Sequence, residues 1–273
     1  MNTNLQYSVF NSGTTDGGQT PIITLSIGEN VTRIPDYAFR NSVNASSDQD
    51  FPDVMMISAS RLIPDRSYYI LHPDTENPCI GISYCVKKLA AMGATHIAIP
   101  CNTAHSPIIM NQVRRYIEVN GIEVTLMNIV EETYKWVKEN LPAKKLVLYA
   151  TQGTYYSKVY NLFFDAQKND QGLQEHFIVE PDDLDKQLIW NAIYSRDYGI
   201  KAFSNPIQNQ AVENFRIVTE KMYAQGYDTF IMGCTEIPLA MGRLRLPITK
   251  IDPAKIMARA LVKAVCPDRL KEF

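Results

Sequence analysis

Two cysteines that follow apolar, strand-like runs are the residues in this chain best suited to chemistry. Cys101 comes directly after residues 96–100 and Cys234 after residues 229–233, and the sequence beyond each one favours a helix start. A thiol has a pKa of about 8.5, which falls at a helix N-terminus, so each side chain can act as an acid or a base. Inverting a carbon stereocentre needs one group to remove a proton and another to return it from the opposite face. The matched pair therefore predicts racemisation beside a carboxylate, whose enolate-like charge helix N–H groups would stabilise. Two unrelated core cysteines are the alternative.

The other three cysteines show no pattern that points to chemistry. The chain has five cysteines, and none of them forms a Cys-x-x-Cys pair. An odd count without that spacing argues against a disulfide framework and against a structural zinc site. We expect Cys79, Cys85 and Cys266 to be ordinary buried thiols, and we expect no metal site.

Composition and charge exclude several classes of protein. Of the 273 residues, 45% are apolar and 21% are charged, which is typical of a soluble globular protein. A net charge of −2 argues against nucleic-acid binding. No apolar run reaches the roughly 20 residues that a membrane helix needs. Residues 1–20 are polar, lack the pattern of a signal peptide and are expected to form an N-terminal extension. A cytoplasmic protein without a membrane or nucleic-acid partner is the resulting expectation.

Strand-like and helix-like segments alternate along the chain, which predicts an α/β fold with parallel sheets covered by helices on both faces. Both cysteines fall at the carboxyl ends of predicted strands, where ligands bind in such sheets. The predicted strands are 21–28, 54–58, 96–100, 124–129, 145–150, 177–179 and 229–232. The predicted helices are 36–44, 83–92, one that starts at Pro107, 131–140, 155–164, 184–194, 205–225 and 254–265.

The segments around the two cysteines also carry a family resemblance. Residues 100–105 read Pro-Cys-Asn-Thr-Ala-His, and residues 233–236 read Gly-Cys-Thr-Glu. In these two motifs the chain resembles the aspartate/glutamate racemase family of cofactor-independent amino-acid racemases. Further matches run in family order from about residue 44 to the C-terminus. They are 48–50, 63–66, 129–133, 150–154 with Tyr160 after them, 192–194 leading to Lys201, and 251–253.

The resemblance implies two similar doubly wound lobes with parallel central sheets and an active site in the cleft between them. The first lobe would comprise residues 21–118 and 250–273 and carry Cys101. The second lobe would comprise residues 119–249 and carry Cys234. The resemblance further implies catalysis without pyridoxal phosphate or another cofactor, a dicarboxylic amino acid (aspartate or glutamate) as substrate, and a homodimer.

Site residues follow from the same resemblance, position by position. Cys101 and Cys234 would be the proton-transfer pair. Two cations would clamp the side-chain carboxylate of the substrate, Arg66 as a fork and Lys201 as a compact charge. On the residues alone, Arg66 would instead lie at the surface in an ordinary turn, and Lys201 would have no special role. The α-carboxylate would be held by Asn102, Thr103 and Thr235, and the cleft would be lined by Thr151 and Thr154.

Two further residues of the motifs have open roles. His105 either tunes the nearby thiol or packs beneath the cleft. Glu236 either positions Cys234, contacts the substrate amine or complements the positive end of a helix.

The chain departs from the family near its first strand. The family has a glycine-rich turn there, whereas Ser26 and Ile27 stand before Gly28 in this chain. Isoleucine lacks the conformational freedom of glycine, so the N-terminal wall of the site is expected to differ. This departure keeps two other functions open. One is a related maleate isomerase or decarboxylase-like enzyme, and the other is a weakly active or non-catalytic protein that binds an amino acid or a partner.

Overall fold

The computed structural model describes residues 22–26, residue 43 and residues 52–271. Several expectations lie outside these residues. They are the N-terminal extension at 1–20, the turn with Ile27 and Gly28, the helix at 36–44 and the motif match at 48–50.

Eight parallel strands form two four-stranded sheets in the described part of the chain. The first sheet has the order β2-β1-β3-β4, and the second has the order β6-β5-β7-β8. The first sheet consists of β1 (Ile22–Ser26), β2 (Val54–Ser58), β3 (His96–Ala98) and β4 (Thr125–Leu126). The second sheet consists of β5 (Lys144–Ala150), β6 (His176–Val179), β7 (Thr229–Gly233) and β8 (Thr249–Ile251). The α/β fold with parallel sheets is thereby confirmed.

The two sheets have the same topology, and this equivalence positions the cysteines. In each sheet the chain starts at an inner strand, adds one neighbour, crosses to the other side and continues outward. Cys101 follows β3 and Cys234 follows β7, so each comes after the third strand of its sheet. The first and third strands flank the point where the strand order reverses, and ligands bind outside the carboxyl ends of strands at such points.

Ten α-helices connect and cover these strands in the described residues. They are α1 (Arg66–Leu71), α2 (Pro78–Ala91), α3 (Pro107–Val119), α4 (Ile129–Asn140), α5 (Gln152–Ser157), α6 (Val159–Asp165), α7 (Asp183–Tyr194), α8 (Asn209–Ala224), α9 (Ile237–Met241) and α10 (Pro253–Val265). None of these helices has both the length and the apolar character that a membrane crossing requires.

Alternating side chains of the strands build the hydrophobic cores. Leu146 and Leu148 of β5 face a core shared with α4, α6 and α10, while Val147 and Tyr149 face a second core with α7 and α8. This period of two is the geometry of a strand, and burial of both faces is typical of a parallel sheet. A third core lies between the first sheet and helices α2 and α3, and it encloses the fully buried Cys85. The shared core also takes in Ala98 of β3, so it ties the two sheets together.

The strand pairing differs from the expected lobe boundaries at both ends. β4 lies within the expected second lobe, 119–249, but its hydrogen bonds go to β3 of the first sheet. β8 extends past residue 249 and pairs with β7 of the second sheet. Backbone hydrogen bonding, which the sequence pattern does not reveal, decides this membership. The C-terminal helix α10 packs on β3 of the first sheet and on α4, which lies within the expected second lobe.

Three predicted elements are shorter than expected or are interrupted. The strand expected at 124–129 stops at Leu126, because Asn128 caps α4 by accepting a hydrogen bond from the backbone of Val130 at 3.0 Å. The helix expected at 155–164 divides at Lys158, whose φ of 53° is left-handed. The helix expected at 205–225 begins only at Asn209. A proline at 206 restricts the preceding residue and removes a backbone donor, which disfavours a helix there.

Candidate active site

A cleft at the carboxyl ends of strands from both sheets brings most of the predicted site residues together. The first sheet contributes the loops after β2 and β3, and the second sheet contributes the loops after β5 and β7 and the segment after α7. The lining residues are Asp65, Arg66, Ser67, Cys101, Asn102, Thr103, Thr151, Tyr194, Lys201, Gly233, Cys234, Thr235 and Glu236. Thr154 and His105 were also predicted for the site, but they lie behind this wall.

Cys101 stands at the start of a single 3-10 turn, Asn102–His105, which precedes α3. Its own backbone N–H donates to the carbonyl of Ile99 at 2.7 Å, which fixes the cysteine directly at the end of the strand run. The thiol is partly exposed to the cleft. This location matches the helix start expected after the cysteine.

Arg66 approaches Cys101 from the first turn of α1. The side chain of Asp65 caps this helix by accepting from the backbone N–H of Tyr68 at 2.7 Å, so the cap determines where Arg66 begins. Arg66 is only 8% exposed, contrary to the surface position that the residues alone favoured. Burial lowers the pKa of Arg66, but Cys101 and then Asp65 more than offset this and leave it above its ordinary value. The guanidinium that lies beside Cys101 is therefore permanently charged.

Four hydroxyl groups form a buried hydrogen-bonded cluster beside Cys101. Thr103 lies 3.0 Å from Thr151 and 2.8 Å from Thr154, measured between the hydroxyl oxygens. Ser67 donates to Thr151 at 2.9 Å, and Thr151 lies 3.3 Å from Thr154. We call these four residues the hydroxyl cluster. Thr154 is fully buried and reaches the cleft wall only through its partners.

Gly153 allows the first turn of α5, which follows β5, to come this close to α1. A Cβ atom at this position would lie 2.6 Å from Cα of Ser67, a distance that no side chain tolerates without displacing the backbone. Glycine is the residue that permits such an approach. The Thr-Gln-Gly-Thr segment therefore carries two hydroxyl groups and the small residue that brings them to Ser67.

Asn102 has a buried partner from the second sheet's side of the molecule. The hydroxyl of Tyr160, in α6, donates to Oδ1 of Asn102 at 2.6 Å. With its oxygen engaged in this way, the amide directs its donor nitrogen away from Tyr160. Sequence analysis noted Tyr160 only as a motif match and assigned it no role.

Cys234, Glu236 and Lys201 form a hydrogen-bonded chain on the opposite wall. The thiol of Cys234 donates to Oε2 of Glu236 at 2.8 Å, and Nζ of Lys201 donates to Oε1 at 2.5 Å. The hydroxyl of Thr235 also donates to Oε2, at 3.1 Å. Glu236 is 7% exposed, so its carboxylate is nearly withdrawn from solvent and is held by these three donors.

The surroundings of Cys234 shift its pKa in the direction opposite to that expected of a cysteine at a helix N-terminus. Burial and then the charge of Glu236 raise the pKa of Cys234 well above its ordinary value, and Lys201 offsets only part of this. The expectation of a lowered pKa was wrong for Cys234, because burial and the charge of Glu236 dominate and α9 begins only at Ile237. Burial raises the pKa of Glu236, but Lys201 and Cys234 outweigh it and leave the carboxylate ionised.

Lys201 owes its place to Tyr194 as well as to Glu236. Its ammonium group lies 5.3 Å from the centre of the Tyr194 ring, within the range of a cation–π contact. The hydroxyl of Tyr194 donates to Oδ2 of Asp65 at 3.2 Å, which links the Lys201 segment to the loop that carries Arg66. Sequence reasoning gave roles to neither Tyr194 nor Asp65. The available signal was that both residues fall within the motif matches at 63–66 and 192–194.

His105 takes the packing position rather than a place in the cleft. It is buried, and its Nε2 lies 3.0 Å from the carbonyl oxygen of Ile99. Burial lowers the pKa of His105 to about 4, so the ring is neutral near pH 7. The structure thus favours the second of its two proposed roles, support of the turn that follows Cys101.

Comparisons with known proteins agree with this architecture. The chain is 24% identical over 233 residues to the broad specificity amino-acid racemase RacX of Bacillus subtilis (strain 168), covering 85% of this chain and 89% of that protein. The structure of aspartate racemase from Picrophilus torridus has a TM-score of 0.71 at 22% identity, covering 92% of this chain and 96% of that one. Glutamate racemase isoform RacE1 from Bacillus anthracis has a TM-score of 0.56 at 12% identity, with 92% and 84% covered.

A family profile covers most of the chain. The profile of the Asp/Glu/Hydantoin racemase family matches residues 37–261, which include both cysteine motifs and every residue of the cleft. The chain therefore belongs to the Asp/Glu/Hydantoin racemase family, and this membership supports an isomerase that acts on amino acids.

Proposed function

We propose that this protein interconverts the L- and D-forms of a dicarboxylic amino acid, aspartate or glutamate, by two-base proton transfer at Cα. Cys101 and Cys234 would be the two bases, and the reaction would need no pyridoxal phosphate. The observation that carries the proposal is the pair of thiols after equivalent strands of two sheets, both lining one cleft.

Each wall of the cleft supplies what its thiol would need. Beside Cys101, Arg66 stabilises negative charge on sulfur. The thiol of Cys234 is held as a proton donor by Glu236. One thiolate would remove the Cα proton while the thiol on the other wall delivers a proton to the opposite face. General acid and base groups at such positions typically contribute about 10²–10⁴-fold to the rate.

Polar groups between the thiols suit an α-carboxylate. Asn102 and Thr103 follow Cys101, Thr235 follows Cys234, and all three line the cleft, so each wall carries polar groups next to its thiol. Donors aimed at a carboxylate also stabilise the enolate-like charge that builds up as the proton leaves. We assign these three residues to the α-carboxylate.

The cations of the cleft support an acidic side chain. Arg66 and Lys201 both line the cleft and both remain charged. An arginine fork binds a carboxylate with two parallel hydrogen bonds, whereas a lysine adds a point charge. We therefore assign the second carboxylate of the substrate to Arg66, with Lys201 beside it.

Proton exchange in heavy water tests this proposal. The purified protein, kept reduced, is incubated in deuterium oxide with L-aspartate and separately with L-glutamate. A Cys101→Ser, Cys234→Ser double variant serves as the blank. We expect the Cα proton signal to disappear from the NMR spectrum while chiral chromatography shows the D-form.

Three other results would contradict the proposal, and each is informative. A product other than the enantiomer would indicate a related isomerase or lyase. Thermal stabilisation by the amino acid without exchange would indicate a binding protein, because a ligand of the native state raises its apparent stability. Exchange without any D-form would indicate that only one wall of the cleft is active.

A further inference from the structure

The two cysteines occupy equivalent strand ends, yet their charged neighbours have opposite sign. The guanidinium of Arg66 faces Cys101. A carboxylate of Glu236 accepts the hydrogen bond of Cys234 at 2.8 Å. The topology makes the two positions alike, whereas these neighbours make them different.

The contact between Cys234 and Glu236 requires a proton on sulfur. An ionised carboxylate is only an acceptor, so a hydrogen bond between the two groups exists only while Cys234 is a thiol. Lys201 holds the carboxylate in its ionised form from the other side. A thiolate at the same position would place two negative charges in contact within a nearly dry site, which is strongly unfavourable.

We infer that Glu236 is a positioning residue that keeps the proton on Cys234, so that the substrate-free protein holds a thiol at this position. This assignment rests on the proposed function only in treating the two sulfur atoms as the reacting pair. It gives Cys234 a resting state that the sequence left open.

Other titratable groups that face Cys234 do not alter the assignment. Tyr155 of α5 and Tyr194 of α7 both interact electrostatically with Cys234. Burial raises the pKa of each tyrosine well above its ordinary value, so both stay neutral. Lys201, which follows α7, is the cation facing Cys234, and its charge is shared with Glu236. Of the charged groups that face Cys234, Glu236 therefore has the larger effect, and it raises the pKa of the thiol.

The resting state determines how protons balance in a turnover. Cys101 takes the proton from Cα and becomes a thiol, while Cys234 gives its proton to the opposite face and becomes a thiolate. The products are the enantiomer and a protein whose thiol and thiolate have exchanged places. Return of a proton from solvent to Cys234 and loss of one from Cys101 restore the resting state, and Glu236 favours that return.

Alkylation as a function of pH tests the assignment without any need for turnover. Iodoacetamide reacts with thiolates, so the pH at half-maximal labelling of each cysteine, measured by peptide mass spectrometry, reports its ionisation. In the wild-type protein we expect the midpoint of Cys234 to lie above the ordinary thiol value of about 8.5.

Two variants should move the Cys234 midpoint in opposite directions. Glu236→Gln removes the negative charge and leaves Lys201 beside the sulfur, so the midpoint should fall by about one pH unit. At any pH well below the midpoint, this fall means about tenfold more thiolate. Lys201→Met leaves Glu236 without its counter-ion, so the midpoint should rise. The opposite directions keep the test decisive even if one variant folds poorly.

Glu180→Gln is the matched control. Glu180 is a largely buried carboxylate that pairs with Lys158 and Lys186 at 2.7 and 2.9 Å, and it does not line the cleft. Its loss should leave both cysteine midpoints unchanged. A wild-type midpoint for Cys234 at or below the ordinary thiol value of about 8.5, or no shift in Glu236→Gln, would overturn the inference. Failure to racemise any amino acid with the expected labelling intact would instead refute the proposed function alone.

Discussion

The hydroxyl of Tyr160 donates to Oδ1 of Asn102 across 2.6 Å, and this contact joins helix α6 to the turn that follows Cys101. It orients Asn102, the residue after the proposed base Cys101, from a helix that packs on the sheet carrying the other proposed base, Cys234. Tyr160→Phe should leave the fold intact, lower the free energy of unfolding by about 1 kcal/mol and raise KM more than it lowers kcat. Denaturant unfolding and steady-state kinetics would measure these changes.

Tyr156→Phe provides the comparison for that substitution. Tyr156 lies on the adjacent helix α5 and is 70% exposed, so loss of its hydroxyl should change neither stability nor KM. Equal KM values for Tyr160→Phe and the wild type would show that Asn102 does not need this partner to bind substrate.

Serine at either proposed base should reduce racemisation by about 10²–10⁴-fold, because a hydroxyl is a far weaker acid than a thiol and cannot serve as the proton carrier. We expect this for Cys101→Ser and for Cys234→Ser, with chiral chromatography as the assay. Cys266→Ser should retain full activity, since that thiol is also partly exposed but does not line the cleft. Full activity in either cleft variant would rule out a two-thiol mechanism.

Arg66→Lys should weaken binding of a dicarboxylic amino acid. Lysine keeps the charge but loses the fork, and a hydrogen bond to a charged group is worth about 1.5–3 kcal/mol, so KM should rise by about 10–100-fold. Arg61→Lys, at an exposed position shortly before α1, should leave KM unchanged. An unchanged KM in Arg66→Lys would place the side-chain carboxylate elsewhere in the cleft.

His105 should make stability depend on pH. Burial lowers its pKa to about 4, whereas an unfolded histidine has a pKa of about 6.5. Between these values the unfolded chain binds a proton that the folded protein excludes, so the free energy of unfolding falls as the pH drops from about 6.5 to 4. By pH 4 the contribution of His105 to this fall should reach about 3 kcal/mol.

A His105→Gln variant isolates that contribution, because it cannot titrate. Urea unfolding between pH 4 and 7 should show a shallower decline in this variant than in the wild type, and the exposed His72→Gln should behave like the wild type. Parallel declines in all three proteins would mean that His105 is protonated in the folded state.

Much of this architecture could be predicted because its signals are local. The apolar runs before Cys101 and Cys234 predicted strands with reactive side chains at their ends, and both sit where parallel sheets bind ligands. The burial expected for Cys79 and Cys85 is confirmed as well, whereas the burial expected for Cys266 was wrong, because that thiol follows the end of α10 and is partly exposed. Such features depend on a few consecutive residues and on the period of the pattern.

Features that depend on distant contacts could not be predicted. Arg66 looked like a surface turn residue, and only the packing of α1 against α5 shows that it is buried. The raised pKa of Cys234 follows from a glutamate two positions away whose side chain turns back onto the sulfur. The pairing of β4 with β3 likewise follows from hydrogen bonds between segments that are far apart in sequence.

The hydroxyl cluster has a consequence for how mirror-image molecules can share one cleft. The contacts of Thr103 with Thr151 and Thr154, and that between Thr151 and Thr154, can each run in either direction, because every hydroxyl both donates and accepts. Rotating these hydrogens changes which group offers a proton to the cleft while every oxygen stays in place. The wall is therefore fixed in shape but reversible in polarity, so under the proposed function the same rigid surface would offer a donor or an acceptor as each enantiomer requires.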